Sequence, residues 1–114
     1  LIHTAMPPAP AAQSRVFHAL ADPSRRAIFE SLTTGEAAVN ELTARFRISQ
    51  PAVSQHLATL KRAGLVKPRR DGRHTYYRVD PRGLKPLIDW ITHYRAFWSH
   101  HLDRLQNLLE DMDR

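Results

Sequence analysis

The chain has 114 residues, enough for one domain with a modest core, and its 42% hydrophobic and 25% charged content is that of an ordinary globular protein. It has no cysteine, which excludes disulfides and thiolate chemistry, and no apolar run long enough to span a membrane. The net charge is +6, but residues 45–78 alone hold nine lysines and arginines against one acid, Asp71, so the rest of the chain is slightly acidic.

Residues 1–12 are rich in proline and alanine and lack the basic start and apolar centre of a secretory signal. They read as a disordered arm, with Leu1–Ala5 a remnant ahead of a natural start at Met6. Residues 13–114 read as a single domain. Gln13 to Leu20 is a short helix with Val16, Phe17 and Leu20 on one side. Asp22-Pro23 is a helix start, an N-cap aspartate followed by proline at the first helical position. That helix runs to Leu32, burying Ala27, Ile28 and Leu32, and stops at Thr33-Thr34-Gly35. A third helix covers Ala37 to Phe46, with Val39, Leu42 and Phe46 inward. The tight connection Arg47-Ile48-Ser49 leads into a fourth.

The fourth helix is the most informative segment. Ser49 caps it, Pro51 lies in its first turn and Gly64 sits where a helix closes with a left-handed residue. Val53, Leu57 and Leu60 form one apolar stripe. Gln55 and Arg62 point the other way, with Ser54 on the flank, and no outward residue is acidic. Such a helix can pack one face on a core and lay the other in a DNA groove, where base edges and phosphates call for donors and disfavour carboxylates. Two strands follow, Leu65–Lys67 and Thr75–Val79, joined by the hairpin signal Asp71-Gly72, with Pro68 placing the first strand at an edge. Arg69, Arg70, Arg73 and His74 make the hairpin tip basic. A positive surplus confined to a reading helix and a basic wing is the footprint of a polyanion-binding surface. The fold class is mainly α with a small β-hairpin, a winged helix-turn-helix.

From about residue 81 to 112 the pattern is helical again. Leu84, Leu87, Ile88, Ile91, Trp98, Leu102, Leu105 and Leu109 form one stripe on a helix roughly 40 Å long. Trp90 lies off that stripe. A domain this small cannot cover such a face, so a second copy of the chain is the economical partner.

The DNA-contact candidates are Gln50, Ser54 and Gln55 for bases, Pro51 for a thymine methyl, and Arg62, with Lys61 less well aimed, for phosphate. Arg69, Arg70, Arg73 and His74 serve the wing. His56 borders the apolar stripe and reads as a packed histidine. Of Tyr76 and Tyr77, one packs inward and the other reaches outward. Arg25 and Arg26 open a helix and serve either a phosphate or an internal ion pair. The dimerisation candidates are Val16, Phe17, Leu20, Leu87, Ile91, Trp98, Leu102 and Leu105. Asp89, His93 and His100 share a stripe that could hold zinc, but that stripe lies opposite the apolar face; no cofactor is expected. No serine has a credible His/Asp partner set and no glycine-rich phosphate loop exists, so the chain is not expected to be an enzyme.

Three segments resemble the ArsR-type winged-helix repressors. Ala19-Leu20-Ala21-Asp22-Pro23-Ser24-Arg25-Arg26-Ala27-Ile28 is similar to the family's opening motif. Val39-Asn40-Glu41-Leu42 with Ser49-Gln50-Pro51-Ala52-Val53-Ser54-Gln55-His56-Leu57 is similar to its helix-turn-helix. Ala63-Gly64-Leu65-Val66, Arg70-Asp71-Gly72-Arg73 and Tyr76-Tyr77 are similar to its wing. Together they span residues 15–80. The Trp90, Tyr94, Phe97-Trp98 pattern further resembles autorepressors that lack the cysteine metal motifs. The resemblance implies a homodimer joined by the first and last helices, with one reading helix per protomer in a major groove of an operator, which is expected to be an inverted repeat; the lack of cysteines suits a cytoplasmic location. The resemblance also implies repression, often of the protein's own operon. One departure is Arg47, where the family often has glycine. Two other readings stay open: a metal- or small-ligand-responsive repressor using the Asp/His stripe, and a protein-interaction module using the Trp/Phe-rich last helix.

Overall fold

The computed structural model describes residues 11–113; residues 1–10, most of the expected N-terminal arm, and residue 114 lie outside the described part, as do the side chains of Ala96 and Trp98. The elements are α1 (Ala11–Ala21), α2 (Pro23–Leu32), β1 (Ala37–Ala38), α3 (Val39–Phe46), α4 (Gln50–Arg62), β2 (Val66–Asp71), β3 (His74–Val79), a 3₁₀ turn (Pro81–Leu84), α5 (Lys85–His93) and α6 (Arg95–Met112). Residues 11 and 12, read as the end of the arm, form the first turn of α1.

The corner between α1 and α2 is closed by side chains. Asp22 Oδ1 accepts the Arg25 backbone N–H at 2.9 Å, and Pro23 needs no donor at the first helical position. Arg25 Nε donates to the Ala19 carbonyl at 2.6 Å and its Nη2 to that of His18 at 3.1 Å, while Arg26 Nη1 donates to Leu20 O at 2.7 Å. Among the described residues neither arginine makes an ion pair, and Arg26 stays exposed while Arg25 is half-buried. Both cap the unpaired carbonyls at the C-terminus of α1, where the helix dipole favours cations.

The core gathers Val16 and Ala19 of α1, Ile28, Phe29 and Leu32 of α2, Leu42 of α3, and Val53, Leu57 and Leu60 of α4, with Leu65 and Val66 beneath. Val16 is 1% exposed. Its side chain belongs to the protomer's own core, which corrects its expected place at a subunit interface.

The sheet is three-stranded and antiparallel, ordered β1-β3-β2, so β2 with its Pro68 is an edge strand. β1 was expected to be the first turn of a helix. Instead Ala37 and Ala38 are extended and pair with Tyr77 and Tyr76. A two-alanine strand has no sequence pattern of its own; its pairing with β3 defines it. The hairpin pairs Arg69 with Tyr76, Arg70 with Thr75 and Asp71 with His74, leaving Gly72 and Arg73 as the two-residue loop. Gly72 adopts φ +64°, which a two-residue hairpin requires at its first central position.

α4 ends in a Schellman motif. Leu65 N–H reaches Leu60 O at 3.0 Å and Gly64 N–H reaches Lys61 O at 2.9 Å, with Gly64 at φ +80°. Leu60 and Leu65, both fully buried, make the accompanying apolar contact. Gly83 of the 3₁₀ turn lies so close that a Cβ there would fall 1.9 Å from the Gly64 carbonyl oxygen. This contact fixes where the chain leaves the wing and turns toward α5.

The long final helix expected from the sequence is divided. Tyr94, at φ −99° and ψ 11°, separates α5 from α6. α5 packs on α1: Leu87, with Leu84 of the preceding 3₁₀ turn, reaches the core, and Phe17 meets Trp90 edge-on at 5.4 Å. Beyond the break, Leu102, Leu105, Leu108, Leu109 and Met112 are 49–71% exposed.

Candidate nucleic-acid interface

α4 presents its apolar stripe inward and its polar residues outward. Val53, Leu57 and Leu60 are fully buried, while Gln50, Pro51, Ser54, Gln55, Lys61 and Arg62 are exposed. Ser49 Oγ accepts the Ala52 N–H at 3.2 Å, which fixes the start of the helix and thereby the direction of Gln50. His56 is half-buried.

The N-terminal end of α4 meets the wing. Gln50, Arg73, His74 and Thr75 line a cleft of about 230 Å³ together with Ala38, Val39 and Asn40 at the start of α3. Asn40 was not singled out from the sequence. Its signal was only a polar residue in the first turn of a helix, and it takes tertiary structure to set it opposite the hairpin tip. At the start of α3, Glu41 Oε1 accepts the Ala38 N–H at 2.9 Å, half of a capping box in which alanine supplies no reciprocal acceptor.

Of the wing cations, Arg70 and Arg73 are exposed and form no ion pair among the described residues. His74 is exposed beside Tyr76, with ring centroids 6.2 Å apart. Arg69 differs from them. Its Nε donates to Glu36 Oε2 at 3.2 Å, its Nη2 pairs with Glu36 Oε1, and its guanidinium carbon lies 4.9 Å from the centroid of the Tyr76 ring. Hydrogen bonding from Arg69 holds the Glu36 carboxyl below its ordinary range, and the same bond raises the arginine. Arg69, one of the wing candidates, thus directs two of its donors to Glu36 inside the protomer while its side chain stays partly exposed. Tyr77 packs against the core, and Tyr76 lies under Arg69.

Arg62 is not brought to this cleft. It lies twelve residues beyond Gln50, about 18 Å along the helix axis. There its Nη2 donates to Thr59 Oγ1 at 3.2 Å. It faces a depression of about 410 Å³ shared with Ser14, Arg15 and His18 of α1.

A family model for the bacterial regulatory proteins of the arsR family matches residues 22–67, the segment from the α2 cap to the start of β2. The HTH-type transcriptional regulator Rv2034 of Mycobacterium tuberculosis is 44% identical over 96 residues, covering 84% of this chain and 87% of its own. The chain belongs to the ArsR family.

The transcriptional repressor SdpR of Bacillus subtilis is 33% identical over 81 residues, covering 71% of this chain and 90% of its own. Among solved structures, an ArsR-like transcriptional regulator from Rhodococcus sp. RHA1 superposes with a TM-score of 0.69 at 28% identity, covering 86% of this chain and 92% of that one. HlyU from Vibrio cholerae does so at 0.61 and 33% identity, covering 76% and 90%. As a member of the ArsR family the protein is a DNA-binding transcriptional regulator and not an enzyme.

Two features of this ArsR-family chain bear on the other expectations. The turn of its helix-turn-helix keeps left-handed geometry at Arg47, with φ 55° and ψ 41°, so the arginine adopts the conformation for which glycine is the usual choice. The break at Tyr94 removes the continuous helix on which the alignment of Asp89, His93 and His100 depended. Asp89 pairs with Lys85 Nζ at 2.8 Å, and among the described residues no three His, Asp or Glu side chains gather as a metal site would require. No helix among the described residues is long and apolar enough to cross a membrane.

Proposed function

We propose that the protein is a homodimeric, sequence-specific repressor that reads an inverted-repeat operator, its own upstream region being the first target. The observation that carries this reading is the cleft where Gln50 of the reading helix faces Arg73 and His74 of the wing, next to Arg70 and Arg73, which no carboxylate among the described residues neutralises. In the bound state Gln50, Ser54 and Gln55 meet base edges, with Pro51 against a thymine methyl. Arg70, Arg73 and His74 take phosphates or the adjacent minor groove, releasing counterions and supplying a salt-dependent affinity.

The dimer follows from the apolar surface left on the C-terminal helices. Ile88, Ile91, Leu102, Leu105 and Leu109 are about half exposed among the described residues. Two copies joined through α1, α5 and α6, with Phe17, Leu20 and Leu87 at or beside the contact, place their α4 helices on half-sites about one turn, or 34–36 Å, apart. The test is binding of the full chain to its own upstream DNA against a scrambled duplex of equal length at about 150 mM salt. A preference of about a hundredfold or more supports a specific autorepressor. Equal affinity for both duplexes rejects that target, and no binding to either rejects the DNA reading.

A further inference from the structure

The wing has an uneven foundation. β1 is two residues long and supports β3 only at Tyr76 and Tyr77. Past that row the hairpin continues through Arg70–Thr75, Asp71–His74 and the Gly72-Arg73 loop with no third strand beside it. The residues that face DNA, Arg70, Arg73 and His74, all lie on this unsupported end. A small rotation at the Arg69–Tyr76 row moves every one of them.

The Glu36–Arg69 contact sits at that row. Glu36 belongs to the link between α2 and β1, one residue before β1, and so moves with the helix-turn-helix. Arg69 belongs to the wing. The guanidinium offers two parallel donors to the carboxylate and lies over the Tyr76 ring, an arrangement that fixes direction as well as distance. Asp71 Oδ2 lies 3.8 Å from the same guanidinium but on the same strand, so it ties the wing to nothing else.

We infer that Glu36 is a positioning residue for DNA binding: through Arg69 it fixes the angle of the wing to the reading helix. The strut makes a prediction opposite in sign to simple electrostatics. Glu36 stands close to a surface that meets a polyanion, and its carboxylate holds an arginine that would otherwise face the DNA. On charge alone, Glu36→Gln should tighten binding. If Glu36 is a strut, the same change weakens binding, because the wing cations lose their fixed placement. Asp71→Asn removes an equal charge nearby without cutting the link and serves as the control.

The proposal rests on the DNA-binding reading, so the experiment has one arm that does not need DNA. Amide exchange of Arg70–Thr75 in the free full-length protein should be faster in Glu36→Gln and unchanged in Asp71→Asn. Affinity for a random-sequence duplex and for the protein's own upstream DNA should fall about threefold or more in Glu36→Gln, the scale of one exposed bidentate pair. Asp71→Asn should bind as well as the parent or better. In an Arg69→Gln background, Glu36→Gln should have no further effect. Unchanged amide exchange, or Glu36→Gln binding as tightly as the parent, overturns the strut. A parent that binds neither duplex overturns the functional reading instead, and the exchange arm still decides the strut.

Discussion

α4 and α6 are both amphipathic, with leucines recurring at helical spacing, yet their apolar faces have opposite fates. Leu57 and Leu60 of α4 are fully buried under α1, α2 and β2, whereas Leu102, Leu105 and Leu109 of α6 stay about half exposed. α4 has its partner within the chain, so its polar face is free to evolve toward DNA. α6 has none among the described residues, and its apolar face is what the proposed second copy would cover. Periodicity tells which face of a helix is buried; it does not tell whether the covering surface belongs to the same molecule.

The same substitution made in both helices tests this contrast most strongly. Leu57→Ala opens a cavity in a fully packed site and should lower the unfolding free energy by about 2–5 kcal/mol, measured by urea denaturation. Leu105→Ala should leave the folding of the isolated protomer nearly unchanged. It should instead raise the dimer dissociation constant about tenfold or more, because a two-fold interface loses the side chain twice. Sedimentation equilibrium across a dilution series reads the second effect. A Leu105→Ala protein with unaltered association would mean that α6 does not form the proposed interface.

The junction between the two regions is the next place to press. Gly83 passes so near Gly64 that a methyl group there would overlap a backbone carbonyl, and backbone cannot rotate away as a side chain could. Gly83→Ala should destabilise by about 1–3 kcal/mol through overpacking and shift the exit of the chain from the wing. Substituting exposed Gly72 by asparagine, a residue that tolerates positive φ, should cost much less, since nothing lies within 4 Å of its would-be Cβ. If thermal melts ranked the two variants the other way round, the close approach of Gly83 would not be holding α5 in place.

These contrasts follow how far each feature could be read from the sequence. The Asp22-Pro23 start, the Ser49 cap, the Gly64 close and the hairpin glycine are local signals, each decided by a few neighbouring residues, and the structure has them all. The features that departed from expectation depend on distant partners. Ala37-Ala38 becomes a strand because Tyr76 and Tyr77 arrive beside it. Arg25 and Arg26 find carbonyls six and seven residues back in α1, and Arg69 finds a carboxylate thirty-three residues away. The break at Tyr94 has neither proline nor glycine to announce it. It falls where rings of α1, α5 and α6 follow one another: Phe17 on Trp90, Trp90 on Tyr94 at 5.4 Å, and Tyr94 on Phe97 at 6.5 Å. For the candidate site, the sequence pointed to α4 and the wing, and the structure brings them side by side at the cleft of Gln50, Arg73 and His74. It did not separate arginines that face outward from those already engaged within the fold.

The smallest expected effect concerns the turn between α3 and α4. Arg47 closes α3 with its N–H on Thr43 O at 2.9 Å while holding a left-handed backbone that disfavours any residue bearing a Cβ. Glycine removes that strain, worth about 1–2 kcal/mol, but loses more chain entropy on folding, about 0.5–1 kcal/mol, so Arg47→Gly should gain up to about 1.5 kcal/mol in denaturant unfolding. The same variant asks what the arginine is for. Arg47 is exposed at the turn leading into the reading helix, and no ion pair among the described residues holds it. If its charge meets a phosphate, Arg47→Gly binds DNA more weakly on every sequence and with a salt dependence shallower by about one unit, even as the protein becomes more stable. Greater stability with an unchanged salt slope would instead make the arginine a tolerated strain with no share in binding.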